Sequence, residues 1–531
     1  MLINVLTSLE RMRGNLILLI FSLTISNIIG QTPINGKYSK DGVTYYISST
    51  SYDGRSLSDK DVDGVVILKV GKDYYVRNLS NGVNFDWYMA ATNKKDDISF
   101  DMEKASLTAA KLGTYVFIPQ NTYYIGRKTR IYSDLKSDRG TIKMPSKYER
   151  FFILQNDKIN IQGINFENDN KTRLANAPIT IEINGMSDIV INNCRFTNGR
   201  IASSNFSNNI SRNLKIENNV FESDFSNYKN GTHQNDIISI YNINGLTVTD
   251  NRFKIKNANR VIKISSYLSD GSVVSSNVKI LRNSFYSSTN SRKQLIDLFQ
   301  HTKDVEIGYN SFKSFGHESV IEDKTINSRS YKSVLKIHNN TFDTDGTSIR
   351  VFGDYSIYNG GSNSGIKDVV INNNTVNSRG QAVSLNIANC NSVNISDNSF
   401  SNSNNSPAHA RFGGIGVLSI LSNSFISGYL IFTKETSIGK SKFRSDFGNI
   451  VIERNEFRNT KQQNLMIFSN SSGIKNLRIR ENKNYINSVE VDLHRIDIRS
   501  TQIRDLYSDY KDIPRTIKSN ENRSFTIKKS K

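Results

Sequence analysis

The sequence predicts an all-β protein: a right-handed parallel β-helix, a solenoid of about twelve coils, with an N-terminal capping helix and a small N-terminal β-module. Three observations carry this prediction. First, from about residue 159 an alternating apolar strand is followed by Asn, one variable residue and Phe, as in Leu214-Lys215-Ile216-Glu217-Asn218-Asn219-Val220-Phe221. The frame returns ending at Phe253, Phe285, Phe312, Phe342, Val376, Phe400, Phe425 and Phe457, with divergent earlier copies at Phe166 and Phe196, in steps of 24 to 34 residues. Periods of this size belong to solenoids, in which each repeat buries its apolar edge only against its neighbours. Second, the repeats hold short strands of β-branched residues with Asn, Ser and Gly and no 3.6-residue periodicity, which disfavours helical and leucine-rich repeats. Third, with 37% hydrophobic residues, 6 Pro and 27 Phe beside 24 Tyr, the 531-residue chain can bury a large core, so global disorder is excluded.

Residues 1–30 read as an export signal. Arg11 and Arg13 precede the apolar run Leu16 to Leu23, which Ser22, Thr24, Ser26 and Asn27 interrupt before cleavage is expected after Gly30. A membrane-spanning helix needs roughly 20 apolar residues, so a secreted or periplasmic product without a stable membrane anchor is expected. Residues 31–86 carry Val65-Val66-Ile67-Leu68, Tyr74-Tyr75-Val76 and the turn pairs Asp41-Gly42, Asp53-Gly54 and Asp63-Gly64, a small antiparallel module. The stretch Asp101 to Leu112, with Met102, Ala105, Leu107, Ala109 and Ala110, predicts a helix. Residues 87–500 then form the capped β-helix, and 501–531 a C-terminal cap or basic tail.

Asn recurs two residues before the aromatic position, at 219, 251, 283, 310, 340, 374, 398, 423 and 455. Stacked amides at one bend predict an Asn ladder, with Asn itself adopting the left-handed backbone of the bend; a row of sugar-binding amides is the functional alternative. Cys194 takes the ladder position in its coil. Cys390 lies about seven coils, or roughly 34 Å, away, so the only two Cys of the chain form no disulfide.

The run Val83-Asn84-Phe85-Asp86-Trp87-Tyr88, then Asp96-Asp97, a short helix and Val116-Phe117-Ile118-Pro119-Gln120-Asn121-Thr122-Tyr123 resembles the N-terminal signature of the pectate-lyase-like superfamily. That superfamily includes bacterial polysaccharide lyases, polygalacturonases and phage tailspike depolymerases. The resemblance covers residues 83 to about 145 by motif and implies the β-helix fold with its capping helix; it is specific for fold and weak for reaction.

In a β-helix, a ligand lies along the outside of a sheet. Aligning Ile181-Glu182-Ile183, Ile238-Ser239-Ile240, Ile262-Lys263-Ile264, Ile296-Asp297-Leu298, Ile321-Glu322-Asp323 and Ile349-Arg350-Val351 gives an outward column Glu182, Ser239, Lys263, Asp297, Glu322 and Arg350. Asp236 and Arg260 join it from two residues upstream, and His233, His301 and His317 stand at nearby corners. A ladder of opposite charges on a sheet also forms ordinary solvated ion pairs, and that reading stands beside the functional one. For a lyase acting on a uronic acid, Lys263, Arg260, His233 and Tyr241 are the candidate bases and carboxylate-neutralising groups, with Arg350 and His301 as further substrate contacts. A hydrolase instead needs two carboxylates, which Asp236, Asp297 and Glu322 supply.

Asn235-Asp236-Ile237-Ile238-Ser239-Ile240-Tyr241-Asn242 is similar to the strand carrying the catalytic Lys in the chondroitinase B and alginate lyase family, with Tyr241 at the place of that Lys. Arg260-Val261-Ile262-Lys263 is similar to the Arg-Ile-Lys of polygalacturonases but one residue longer. On a regular strand the extra residue turns Arg260 and Lys263 to opposite faces. No metal motif of fixed spacing occurs, and calcium held by loop carboxylates stays open.

The formal charge is +20, from 69 Lys+Arg against 49 Asp+Glu, and residues 440–531 alone hold 20 Lys+Arg and 11 Asp+Glu. For an exported protein the matching polyanion is an acidic polysaccharide. Nucleic-acid binding would concentrate basic residues on one reading element, and none is visible. The sequence thus points to a monomer that binds and cleaves an acidic polysaccharide by β-elimination, with a paired-carboxylate hydrolase and a non-enzymatic glycan-binding adhesin as alternatives.

Overall fold

The computed structural model describes residues 36–528 except 41–42, 52, 90–96, 146–149, 170–177, 204–208, 227–234, 267–273, 291–292, 300–301, 325–331, 354–366, 381, 404–407, 434–445, 460–464, 470–472, 492–495, 500–502 and 509–525. The expected export signal, His233 and His301 lie outside the described residues, as does much of the connections 221–234 and 265–277. Among the described residues no helix is long and apolar enough to cross a membrane.

Lys37–Lys40, Val43–Ile47, Asp73–Arg77 and Ile67–Val70 pair in that order into a four-stranded antiparallel sheet. Helix α1 spans Ser99–Lys111. It starts two residues before the expected position because Asp97 Oδ1 accepts the Ser99 N–H at 3.0 Å. Its buried Met102, Ala105 and Ala109 close the end of the solenoid, and Gly113 ends it in the left-handed region at φ 67°. Asp86 accepts hydrogen bonds from Asn121 Nδ2 at 3.3 Å and Tyr123 Oη at 2.8 Å, which ties the two halves of the N-terminal signature together.

Beyond this cap the chain winds into three parallel faces. The phenylalanine face stacks fifteen strands, from Thr122–Tyr124 to Val489–Val491, of which only the last pairs antiparallel. The charged face stacks fourteen, from Thr129–Ile131 to Ile496–Arg499. The third face runs from Val83–Asn84 through Leu135–Ser137 to Ile503–Ser508 and Thr526–Lys528. The repeat signature marks fewer coils than this because the aromatic column is filled by Tyr123 and Ile142 in the first two and by Asn484 near the end. Between Phe166 and Phe342 the rings stack with centroids 4.7 to 5.1 Å apart, the spacing of successive parallel strands.

The Asn ladder forms and is buried. Asn310 is representative: its Nδ2 donates to Ile280 O at 2.8 Å and to Asn340 Oδ1 at 3.0 Å. Its Oδ1 accepts from Asn283 N at 2.9 Å and Asn283 Nδ2 at 3.1 Å. The ladder extends past Asn455 to Asn482. Its burial excludes the sugar-binding reading of these amides. One expectation is corrected: the left-handed residue is the one before each ladder Asn, namely Asn218, Asp250, Arg282, Tyr309, Asn339, Asn373, Asp397, Ser422, Arg454 and Glu481. The amide column itself is selected by hydrogen bonding rather than by backbone handedness. Cys194 and Cys390 are free and buried.

Among the described residues a charged pair lies inside the solenoid. Asp323 pairs in register with Leu298 and Val351 on the inward side, and its carboxylate meets the Lys367 ammonium with both side chains fully buried.

Asn310→Ala is expected to lower stability by about 3–5 kcal/mol, since Asn283 N–H, Ile280 C=O and Asn340 Oδ1 each lose a partner in a dry interior. The midpoint of chemical denaturation measures this, and an unchanged midpoint would show that the ladder contributes nothing.

Candidate functional site

The strand register of the charged face places the outward column. Glu182, Ala202, Ser239, Lys263, Asp297, Glu322, Arg350, Asn386 and Arg411 are successive neighbours. The coil of Ile201–Ser203 falls between Glu182 and Ser239, where the sequence alignment had none. Two residues further along the strands a second column reads Tyr241, Ser265, Phe299, Lys324 and Phe352.

Arg260 and Lys263 do not point to opposite faces. Val261 N and Ile262 N both donate to Leu295 O, at 2.9 and 3.1 Å, so the strand carries a bulge at this point. Both Val261 and Ile262 are consequently buried in the core, and Arg260 turns outward. There its Nε lies 2.6 Å from Asp297 Oδ2, an ion pair without an aligned hydrogen bond, and its Nη1 3.4 Å from Asp236 Oδ1. Glu322 lies one coil beyond Asp297, and Arg350, one coil further, reaches with its Nη1 Glu322 Oε2 at 3.0 Å and Glu318 Oε1 at 2.5 Å. Ser319 Oγ donates to Glu322 Oε2 at 3.2 Å, and Lys324 pairs with the other carboxylate oxygen. Glu318 and Lys324 were not among the sequence candidates; period-2 alternation within Ser319–Lys324 already places Lys324 beside Glu322.

The face is not a solvated ladder. Asp236, Asp297 and Glu322 are 1%, 3% and 0% exposed. Burial is the largest influence on Asp297 and holds its pKa above the ordinary carboxylate value; Arg260 pulls it down and Glu322 pushes it further up. The accessible groups are Lys263, Tyr241, Phe299, Lys324 and Arg260, all half-buried, with the exposed carboxylate of Glu318 at the edge beside Arg350. Lys263 Nζ donates to Tyr241 Oη at 2.7 Å and sits 5.1 Å from the centre of that ring. The ammonium therefore occupies the phenol oxygen as an acceptor and leaves the phenol hydrogen free for another partner. The site is thus a layer of carboxylates locked by arginines, overlaid by a Lys–Tyr pair and an aromatic surface.

His317 does not join it. It is buried in the interior with Nε2 2.9 Å from Ser287 Oγ and Nδ1 3.0 Å from Lys293 O, and burial pushes its pKa down to about 4. Among the described residues no three His, Cys, Asp or Glu side chains converge as a metal site.

No protein-family model and no curated relative matches the chain. Solved structures do. A mutant of the tailspike protein of E. coli bacteriophage HK620, in complex with a pentasaccharide, matches at 13% identity over 88% of this chain and 82% of that one, with a TM-score of 0.54. A hyperthermoactive exopolygalacturonase from Thermotoga maritima matches at 14% identity over 68% of this chain and 92% of that one, with a TM-score of 0.42. The A-module of an Azotobacter vinelandii mannuronan C-5 epimerase matches at 9% identity over 79% and 98%, with a TM-score of 0.37. The tailspike matches show a shared fold, the right-handed parallel β-helix; identities this low establish fold and leave the reaction to the site itself.

Arg260→Met leaves Asp236 and Asp297 buried without their cation, and an expected loss of about 3–5 kcal/mol at neutral pH follows. Because folding raises the Asp297 pKa above 3.8, its contribution favours the folded state at low pH and is lost as pH rises through the raised value. The deficit of the variant is therefore expected to shrink as pH falls into the carboxylate range. Denaturation midpoints of both proteins at two pH values measure this; a pH-independent deficit would contradict the coupling.

Proposed function

We propose that the protein is an exported carbohydrate-active enzyme that binds an acidic polysaccharide along the charged face and cleaves it by β-elimination. The observation that carries this reading is the division of the site. The carboxylates of Asp236, Asp297 and Glu322 are sequestered in ion pairs with Arg260 and Arg350, while the hydrogen-bonded Lys263 and Tyr241 are open to a ligand.

In the elimination a base takes the C5 proton of a uronic acid, a double bond forms between C4 and C5, the C4–O bond breaks and the leaving oxygen takes up a proton. The Lys263–Tyr241 pair supplies both ends of that transfer once Tyr241 has released its phenol proton to solvent: the phenolate, held by the Lys263 ammonium, accepts the C5 proton, and the phenol so formed returns that proton to the leaving oxygen, with Lys263 charged throughout. Lys324 and Lys263 offer positive charge to the substrate carboxylate, which must be neutralised for C5 to become acidic. Arg260, Asp236, Asp297, Glu322 and Arg350 act as positioning residues beneath. Phe299 and Tyr241 offer apolar surface to the sugar rings. The formal charge of +20 matches a polyanion and agrees with action outside the cytoplasm.

A specific observation favours hydrolysis as a second reading. Asp297 and Glu322 are strand neighbours about 4.8 Å apart, near the spacing of the two carboxylates of a retaining glycosidase, and a substrate would reach them only with Arg260 and Lys324 moved aside.

On a panel of acidic polysaccharides, Lys263→Ala and Tyr241→Phe are each expected to lower the release of unsaturated product, followed by ultraviolet absorbance, by about 100-fold or more with an unchanged circular dichroism spectrum. Saturated products, abolished by Asp297→Asn instead, would replace elimination by hydrolysis. Full activity in all three variants would move the site off this face. Retention on an acidic glycan column is expected to fall steeply with salt, since the Debye length is about 8 Å at physiological ionic strength.

A further inference from the structure

A second concave site lies at the N-terminal end of the rod. The corner from Thr129–Ile131 to Leu135–Ser137, and the same corner one coil on from Arg150–Leu154 to Asn160–Gln162, face Leu79, Ser80 and the end of α1 across a cavity of about 610 Å³. Its size is that of a small-ligand pocket, roughly 300–1,000 Å³. By strand register it is five coils, about 24 Å along the axis, from Lys263.

The polar groups around it are held in place and partly unspent. Tyr115 is fixed from two sides: the Lys136 ammonium is 4.1 Å from its ring centre, and a Cβ on Gly82 would come within 2.7 Å of its Cε2. Asn156 Nδ2 donates to Tyr132 O at 2.6 Å, which leaves the Asn156 amide oxygen to accept. Asp134 Oδ1 accepts the Asn160 N–H at 2.8 Å, and its second oxygen takes no hydrogen bond from the described residues. Burial raises the pKa of this carboxyl, with Lys136 pulling the other way.

The charges define the ligand. Asp134 and Asp157 balance Lys136 and Lys158, so the lining is neutral overall. Ala110 and Gly113 bring the C-terminal end of α1 to the cavity, and the partial negative charge of a helix C-terminus disfavours an anion there. An open carboxylate oxygen and an amide oxygen to accept, ammonium groups to donate, and two tyrosine rings together match a ring bearing hydroxyls that both donate and accept.

We infer that this cavity binds a neutral saccharide unit of one or two pyranose rings, separately from the charged face and whatever reaction occurs there. The test uses the full chain with glucose, galactose, N-acetylglucosamine, maltose and lactose at millimolar concentration, read by saturation-transfer NMR and calorimetry. At least one is expected to bind. Affinity is expected to fall about tenfold or more in Asp134→Asn and in Tyr132→Ala, and to weaken in the parent as acid protonates Asp134. The amide of Asp134→Asn still accepts the Asn160 N–H, so this variant is expected to keep the local fold, which its dichroism and denaturation midpoint check. Lys263→Ala should bind like the parent. Failure of all five sugars to bind, or binding that survives both Asp134→Asn and Tyr132→Ala, overturns the inference. Loss of binding in Lys263→Ala also overturns it, by assigning the sugar to the charged face.

Discussion

The asparagine ladder is the constraint on which the rest of the molecule depends. Each interior amide from Asn251 to Asn455 accepts twice from the coil before it and donates both to the coil after it and to a main-chain carbonyl behind it, as at Asn251, which contacts Asn219, Asn283 and Ile216. This fixes the axial position of every coil without using side-chain volume. With the corner held, the phenylalanine two residues on has one place to go, and the rings stack because the strands do. The rigid rise of the phenylalanine face then carries over to the other two faces through the continuous chain.

The charged face shows what such regularity permits. Asp236, Arg260 and Asp297 come from three separate coils, yet their ion pairs need their side chains placed to within tenths of an ångström. A single flexible loop would not hold them so. Burying these charges is expensive, and pairing recovers that cost only when geometry is good. The bulge at Val261 and Ile262 makes the pairing possible by turning Arg260 onto the same side as Asp297 while keeping two consecutive apolar residues in the core. The same doubled apolar pair recurs at Ile237-Ile238, Leu295-Ile296 and Val320-Ile321, all fully buried.

Simple strand alternation, which puts Arg260 and Lys263 on opposite faces, does not reveal such doubled pairs, because a bulge is set by the neighbouring coil. The aromatic column, the amide column and the outward set from Glu182 to Arg350 were legible because each is a repeat of one residue type or one pattern at a fixed frame. What escaped was set by three-dimensional neighbours. The left-handed corner residues include Arg282, Tyr309, Ser422 and Glu481, which have no common composition. His317 does stand at a corner, between Ser311–Phe315 and Ser319–Lys324, but its side chain turns into the interior beside Ser287. The cavity beside Asp134 joins two coil corners to a helix end far apart in sequence, so no local motif announces it.

The ladder also governs how a chain of this kind can change length. Asn283 presents the same donors and acceptors to Asn251 that Asn310 presents to Asn283. Excising or duplicating the segment between two rungs therefore rejoins chemically identical ends, whereas removing part of a turn leaves a rung facing the wrong partner. Evolution of such a rod is in this sense quantised: its length drifts by whole turns, while the chain between one rung and the next varies in length, from 24 to 34 residues. Novel binding surfaces can thus be lengthened or re-edged without redesigning the core.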